Sequence, residues 1–85
     1  MRLDKYLKVS RIIKRRPVAK EAAEGGRVTL NGKVAKPSTE VAAGDIMEIR
    51  FGEKRAKYRI LAVAETVRKA DAGAMYELLE GEEDL

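Results

Sequence analysis

The sequence predicts an α+β fold: two short N-terminal helices packed on a small twisted antiparallel sheet, with a short C-terminal helix. Leu3, Tyr6 and Leu7 fall at three- and four-residue spacing, the mark of one apolar helix face. Val28-Thr29-Leu30-Asn31-Gly32-Lys33-Val34 sets Asn-Gly, the strongest short-range hairpin signal, between two alternating runs. Ile46 to Phe51 also alternates, with Ile46, Glu48 and Arg50 on one face and Met47, Ile49 and Phe51 on the other.

The first helix is expected over about residues 2–9, with Arg2, Lys5 and Lys8 drifting around one side. The next stretch carries Arg11, Lys14, Arg15 and Arg16 around Ile12-Ile13, too cationic for core and too apolar for a free tail. Pro17 suits the first turn of a second helix, where its missing N–H is not needed. Val18, Ala19, Ala22 and Ala23 give that helix a stripe of small side chains, and Gly25-Gly26 stops it. After the hairpin come a loop at Pro37-Ser38-Thr39, a turn at Gly44-Asp45, strand 46–51, a turn at Gly52-Glu53 and a strand over 57–63. Ala70, Ala74, Met75, Leu78 and Leu79 have helical spacing, so the last helix is expected over 70–79. The organisation is one domain over 1–79, with a core motif at about 1–50, and an acidic tail over 80–85.

At 85 residues the chain has room for one small domain and none for a catalytic domain beside it. Histidine, cysteine and tryptophan are absent. That excludes a histidine general base, a cysteine nucleophile, the usual zinc sites and disulfides. Ser10, Ser38, Thr29, Thr39 and Thr66 have no histidine partner, and Gly25-Gly26 is not a phosphate loop. We expect no catalytic residue, metal or cofactor. The start is charged, with no signal peptide, and no apolar run is long enough to span a bilayer, so a cytoplasmic location is expected.

Charge is unevenly placed. Residues 1–36 carry 11 bases and 3 acids, residues 37–69 carry 7 and 5, and residues 70–85 carry no base and 6 acids. The first twenty residues hold 8 bases against one acid, a density that points to a polyanion. The candidate RNA-binding residues are Arg2, Lys5, Lys8, Arg11, Lys14, Arg15, Arg16 and Lys20, extended by Arg27, Lys33 and Lys36. For Arg27 a phosphate contact stands beside a role in offsetting the helix dipole; for Lys33 and Lys36 it stands beside plain solvation. Asp4 is assigned structural support, either at the helix start or as a clamp on Arg11, Arg15 or Arg16. Asn31 and Gly32 serve the turn. Tyr6 is read as a half-buried core residue. Four aromatics are poor material for stacking single strands, so folded RNA read through phosphate and shape fits better.

Several pieces together resemble the S-four RNA-binding domain: Arg2-Leu3-Asp4-Lys5-Tyr6-Leu7, Arg16-Pro17-Val18-Ala19, Gly26 through Val34, Pro37-Ser38, and Val41 through Gly44-Asp45. Where that family usually has serine before the second-helix arginine, this chain has Arg15, which removes a hydroxyl cap and adds charge. Lys8 through Arg16, Arg50-Phe51-Gly52 and Ala74-Met75-Tyr76 are similar to the stand-alone RqcP and fifteen-kilodalton heat-shock protein family. The resemblance implies the S-four-type (alpha-L) fold. It also implies binding to a large ribosomal subunit that carries stranded peptidyl-tRNA, with contacts to rRNA and tRNA. Together with RqcH, such a protein supports alanine tailing of stalled chains. A monomer with no membrane contact and no small-molecule substrate is expected. The alternatives are a general ribosome-associated heat-shock RNA-binding protein, an accessory module of an RNA-modification system, and an adaptor whose acidic tail binds a basic partner.

Overall fold

The computed structural model describes residues 1–13, 16–51 and 53–81; for Arg16, Pro17, Ala19 and Phe51 it describes the backbone only. Helix α1 (Leu3–Val9) buries Leu3, Tyr6 and Leu7, the face that the spacing predicts. Helix α2 (Arg16–Glu24) buries Ala22 and Ala23 and packs on α1, since small side chains allow close approach. The five strands are β1 (Val28–Leu30), β2 (Lys33–Val34), β3 (Ile46–Phe51), β4 (Lys54–Ile60) and β5 (Tyr76–Gly81). They form one antiparallel sheet in the order β2-β1-β3-β4-β5.

The hairpin forms as its Asn-Gly pair dictates. Leu30 pairs with Lys33, and Asn31 and Gly32 take φ of 52° and 85°, the two positive values a type I′ turn needs. Beyond it, β1 aligns Val28 with Ile49 and Leu30 with Met47. The sheet's inner face thus carries Val28, Met47, Ile49, Ala56, Tyr58 and Ile60, all buried against the helices. Its outer face carries Glu48, Arg50 and Arg59.

Between the helices, Ile12 and Ile13 are both core residues. Arg11, the first base of the cationic stretch, is therefore followed directly by two adjacent isoleucines anchored in the core.

The C-terminal third differs from the expected helix. Lys69–Met75 is a 3₁₀ helix, and Tyr76–Gly81 is a strand. Tyr76 and Leu78, two apart, pack on the core, while Glu77 between them is exposed; period two decides over the helical spacing of the same residues. Ile60 pairs with Tyr76, Arg59 with Glu77 and Tyr58 with Leu78, after which Leu79 forms a bulge and Lys57 pairs with Glu80. The Tyr58 and Tyr76 rings meet edge-on, 5.3 Å between centroids. Glu80 and Gly81, grouped with the acidic tail by composition, complete this strand. The expected strand over 57–63 is shifted to Lys54–Ile60.

Candidate nucleic-acid interface

The start of α1 is held by a distant loop. The N–H groups of Leu3 and Asp4 donate to the carbonyls of Thr39 (2.8 Å) and Pro37 (3.1 Å), which satisfies donors that a helix leaves open. The Met1 carbonyl accepts from Val41 N–H at 2.8 Å, and the Met1 ammonium donates to Glu40 Oε2 at 2.7 Å. The loop itself closes through Lys36 N–H on Thr39 Oγ1 (2.8 Å) and Thr39 N–H on the Lys36 carbonyl (3.0 Å). Arg2 and Lys36 are thereby tied to one structural unit.

Asp4, assigned structural support by the sequence, is bonded at both carboxylate oxygens. Its Oδ2 accepts from Arg2 Nη2 at 3.1 Å, and its Oδ1 accepts from Lys5 N–H at 2.8 Å. Among the described residues it thus orients Arg2, not Arg11. Lys5 is exposed and paired with the carboxylate of Glu65 in the loop before the 3₁₀ helix. That contact holds the Glu65 carboxyl below the usual carboxylate range, first through the hydrogen bond and then through the Lys5 charge. Lys20 stands 3.9 Å from Glu24, one turn on.

Lys8, Arg11, Arg27, Lys33 and Lys36 are all exposed. None of the five side chains makes an ion pair or hydrogen bond among the described residues. Arg16 opens α2, while Lys14 and Arg15 lie outside the described residues. Arg27 follows α2 directly, its N–H donating to the Ala22 carbonyl at 3.1 Å.

The arginines of the later chain are differently placed. Arg50 donates to Glu48 at 3.1 Å, Arg55 lies 3.9 Å from Glu48 and 3.8 Å from Glu80, Arg59 is 3.3 Å from Glu77, and Arg68 is 3.0 Å from Asp71. The sheet's outer face carries charge that is largely self-compensated. A shallow trough of about 510 Å³ there is lined by Thr29, Asn31, Gly32, Ile46, Glu48, Arg50 and Lys57. The helices and hairpin carry cations left open to a polyanion.

Tyr6 is fully buried rather than half-buried, and burial, followed by the proximity of Tyr76, pushes its hydroxyl pKa far up. Its side chain is therefore unavailable for base stacking. Among the described residues no three His, Cys, Asp or Glu side chains gather where they could hold a metal ion, and no helix is long and apolar enough to cross a membrane. Sequence reasoning missed Glu65 and Glu40, which are 60 and 39 residues from the groups they bind; no local pattern marks either.

Two short N-terminal helices followed by a hairpin that continues into an antiparallel sheet are the layout of an S4 domain, and residues 1–46 match the model of that family. The chain is 58% identical over 78 residues to the RQC P-site tRNA stabilizing factor of Halalkalibacterium halodurans, covering 92% of this chain and 89% of that one. It is 48% identical over 82 residues to the Bacillus subtilis protein of the same name, covering 96% and 95%. Among solved structures, the trimeric heat shock protein 15 of Vibrio cholerae superposes with a TM-score of 0.80 at 35% identity, covering 93% of this chain and 81% of that one. The chain belongs to the S4 domain family, with the RQC P-site tRNA stabilizing factors and heat shock protein 15 as its relatives.

Proposed function

We propose that this protein is a non-enzymatic RNA-binding factor of ribosome-associated quality control in the bacterial cytoplasm. It binds the obstructed large ribosomal subunit, holds the P-site tRNA through phosphate contacts, and supports RqcH-dependent alanine tailing of the stalled chain. What supports this most is the set of exposed cations at Lys8, Arg11, Arg27, Lys33 and Lys36, unpaired among the described residues, on a domain whose later arginines face carboxylates. The names of its relatives point to the P-site tRNA as ligand. Its side chains make and break no bond. They neutralise backbone phosphates and release counterions, so that rRNA and tRNA are held in one geometry while a partner delivers the next aminoacyl-tRNA.

Purification of the tagged protein from cell extract tests this. Large-subunit rRNA and tRNA should co-purify, without small-subunit rRNA. With about 6 to 10 phosphate contacts, affinity should fall roughly 10³- to 10⁵-fold between 50 and 200 mM salt. A flat salt response would overturn the proposal.

A further inference from the structure

The chain between β4 and β5 leaves the sheet and returns to the same point. The Met75 carbonyl accepts from the N–H groups of Leu61 (2.8 Å) and Ala62 (3.2 Å), which closes residues 63–74 into a surface loop with its ends together. The second half of that loop is the 3₁₀ helix. Its start is tied twice: Asp71 N–H donates to the Arg68 carbonyl at 2.9 Å, and Arg68 Nε donates to Asp71 Oδ2 at 3.0 Å.

The first half is held differently. From Val63 to Val67 no backbone N–H or carbonyl makes a hydrogen bond among the described residues. Side chains alone hold this stretch. Ala64 and Val67 are half-buried against the core, while Val63, Glu65 and Thr66 are exposed. The Glu65 carboxylate reaches across to Lys5 on α1, 60 residues away in the chain. A segment with few buried contacts and no backbone hydrogen bonds lies at the low end of local stability. It can lift from the core without unzipping the sheet, because its base stays joined at Met75. Lys5 is among the cations assigned to RNA, and Glu65 occupies it as a phosphate would. An exposed, screened ion pair of this kind is weak enough for a polyanion to displace.

We propose that residues 63–67 form an autoinhibitory strap: Glu65 closes it over Lys5, and RNA opens it by taking Lys5 with a phosphate and repelling the displaced carboxylate. This rests on the RNA-binding function proposed above and adds a conformational step to it. The closed form keeps one cation neutralised and one anion at the basic surface, so RNA binds the open form better. That difference in affinity is what shifts the population.

The chain has no cysteine, so two introduced cysteines take a pair of spin labels at known positions. Glu53→Cys lies in the turn before β4 and Thr66→Cys in the strap, and both positions are exposed. Pulsed electron paramagnetic resonance on the full-length protein reads the distance between the labels, and filter binding on the same samples reads tRNA occupancy. Thr66 stands four residues from Ala62, so opening moves it by up to about 13 Å. Without RNA the distances should form one narrow population. Saturating bulk tRNA at low salt should replace most of it with a population broader by about 10 Å. Adding Glu65→Gln should raise the open fraction about threefold before any RNA is present. If tRNA saturates the protein and the narrow population persists, the strap falls while the RNA-binding function stands. If Glu65→Gln leaves the RNA-free distribution unchanged, or if that distribution is broad before the substitution, Glu65 does not close the strap and the proposal is overturned. If tRNA does not bind at all, both proposals fall.

Discussion

The hydroxyl of Tyr6 donates a hydrogen bond to the carbonyl of Met75 at 2.9 Å, inside the core and across 69 residues of chain. The same carbonyl accepts from the N–H groups of Leu61 (2.8 Å) and Ala62 (3.2 Å). One oxygen therefore joins the first helix, the loop after β4 and the end of the 3₁₀ helix that leads into β5.

Tyr6→Phe should destabilise the protein by about 1 kcal/mol, because the carbonyl keeps two other donors and only one net hydrogen bond is lost. In an 85-residue domain this lowers the melting temperature by roughly 4–8 °C. Urea denaturation should show a lower midpoint with an unchanged slope.

The same residue predicts a pH dependence. Burial raises the Tyr6 pKa above the ordinary 10.0, so the folded state holds this proton more tightly than the unfolded chain. The stability it contributes is fully present below pH 10 and is lost as pH rises above it. Titrating stability from pH 9 to 11.5 should give a steeper decline for the parent than for Tyr6→Phe, by at most about 1.4 kcal/mol per pH unit. Parallel curves would refute this.

Glu65→Gln should leave the melting temperature unchanged within error, since the Lys5–Glu65 pair is exposed and screened. RNA affinity should rise about two- to fivefold, because one carboxylate leaves the basic surface and Lys5 is released to a phosphate. Filter binding at 50 and 150 mM salt checks both the gain and its decline with screening.

Gly81 has a φ of +90°, and a Cβ there would collide with the Arg55 carbonyl of the neighbouring strand. Gly81→Ala should cost about 2–4 kcal/mol and detach the end of β5. Hydrogen exchange should reveal it as lost protection over residues 76–81, with β1 and β3 less affected.

The sequence made some of this molecule plain and left other parts hidden. The Asn31-Gly32 hairpin, the buried faces of α1 and β3 and the stop after Glu24 were readable because each depends on residues close in the chain. The final strand was not: Met75, Leu78 and Leu79 satisfy a helical pattern equally well, and β4 alone decides between the two by offering Ile60 to Tyr76 and Arg59 to Glu77. The basic residues were legible as a density of charge. Their individual states were not, since Glu65 closes on Lys5 from a remote loop. The left-handed backbone of Arg11 was not legible either, since it stands just before two residues that enter the core.

The docking of α1 on the Pro37 and Thr39 carbonyls bears on the order in which the protein is made. Seven residues cannot sustain an isolated helix in water, so this one takes shape only after the ribosome has delivered the segment that seats it. Until then a newborn chain presents its basic start as a flexible thread, and a rigid surface for nucleic acid arises only once synthesis has moved well past it.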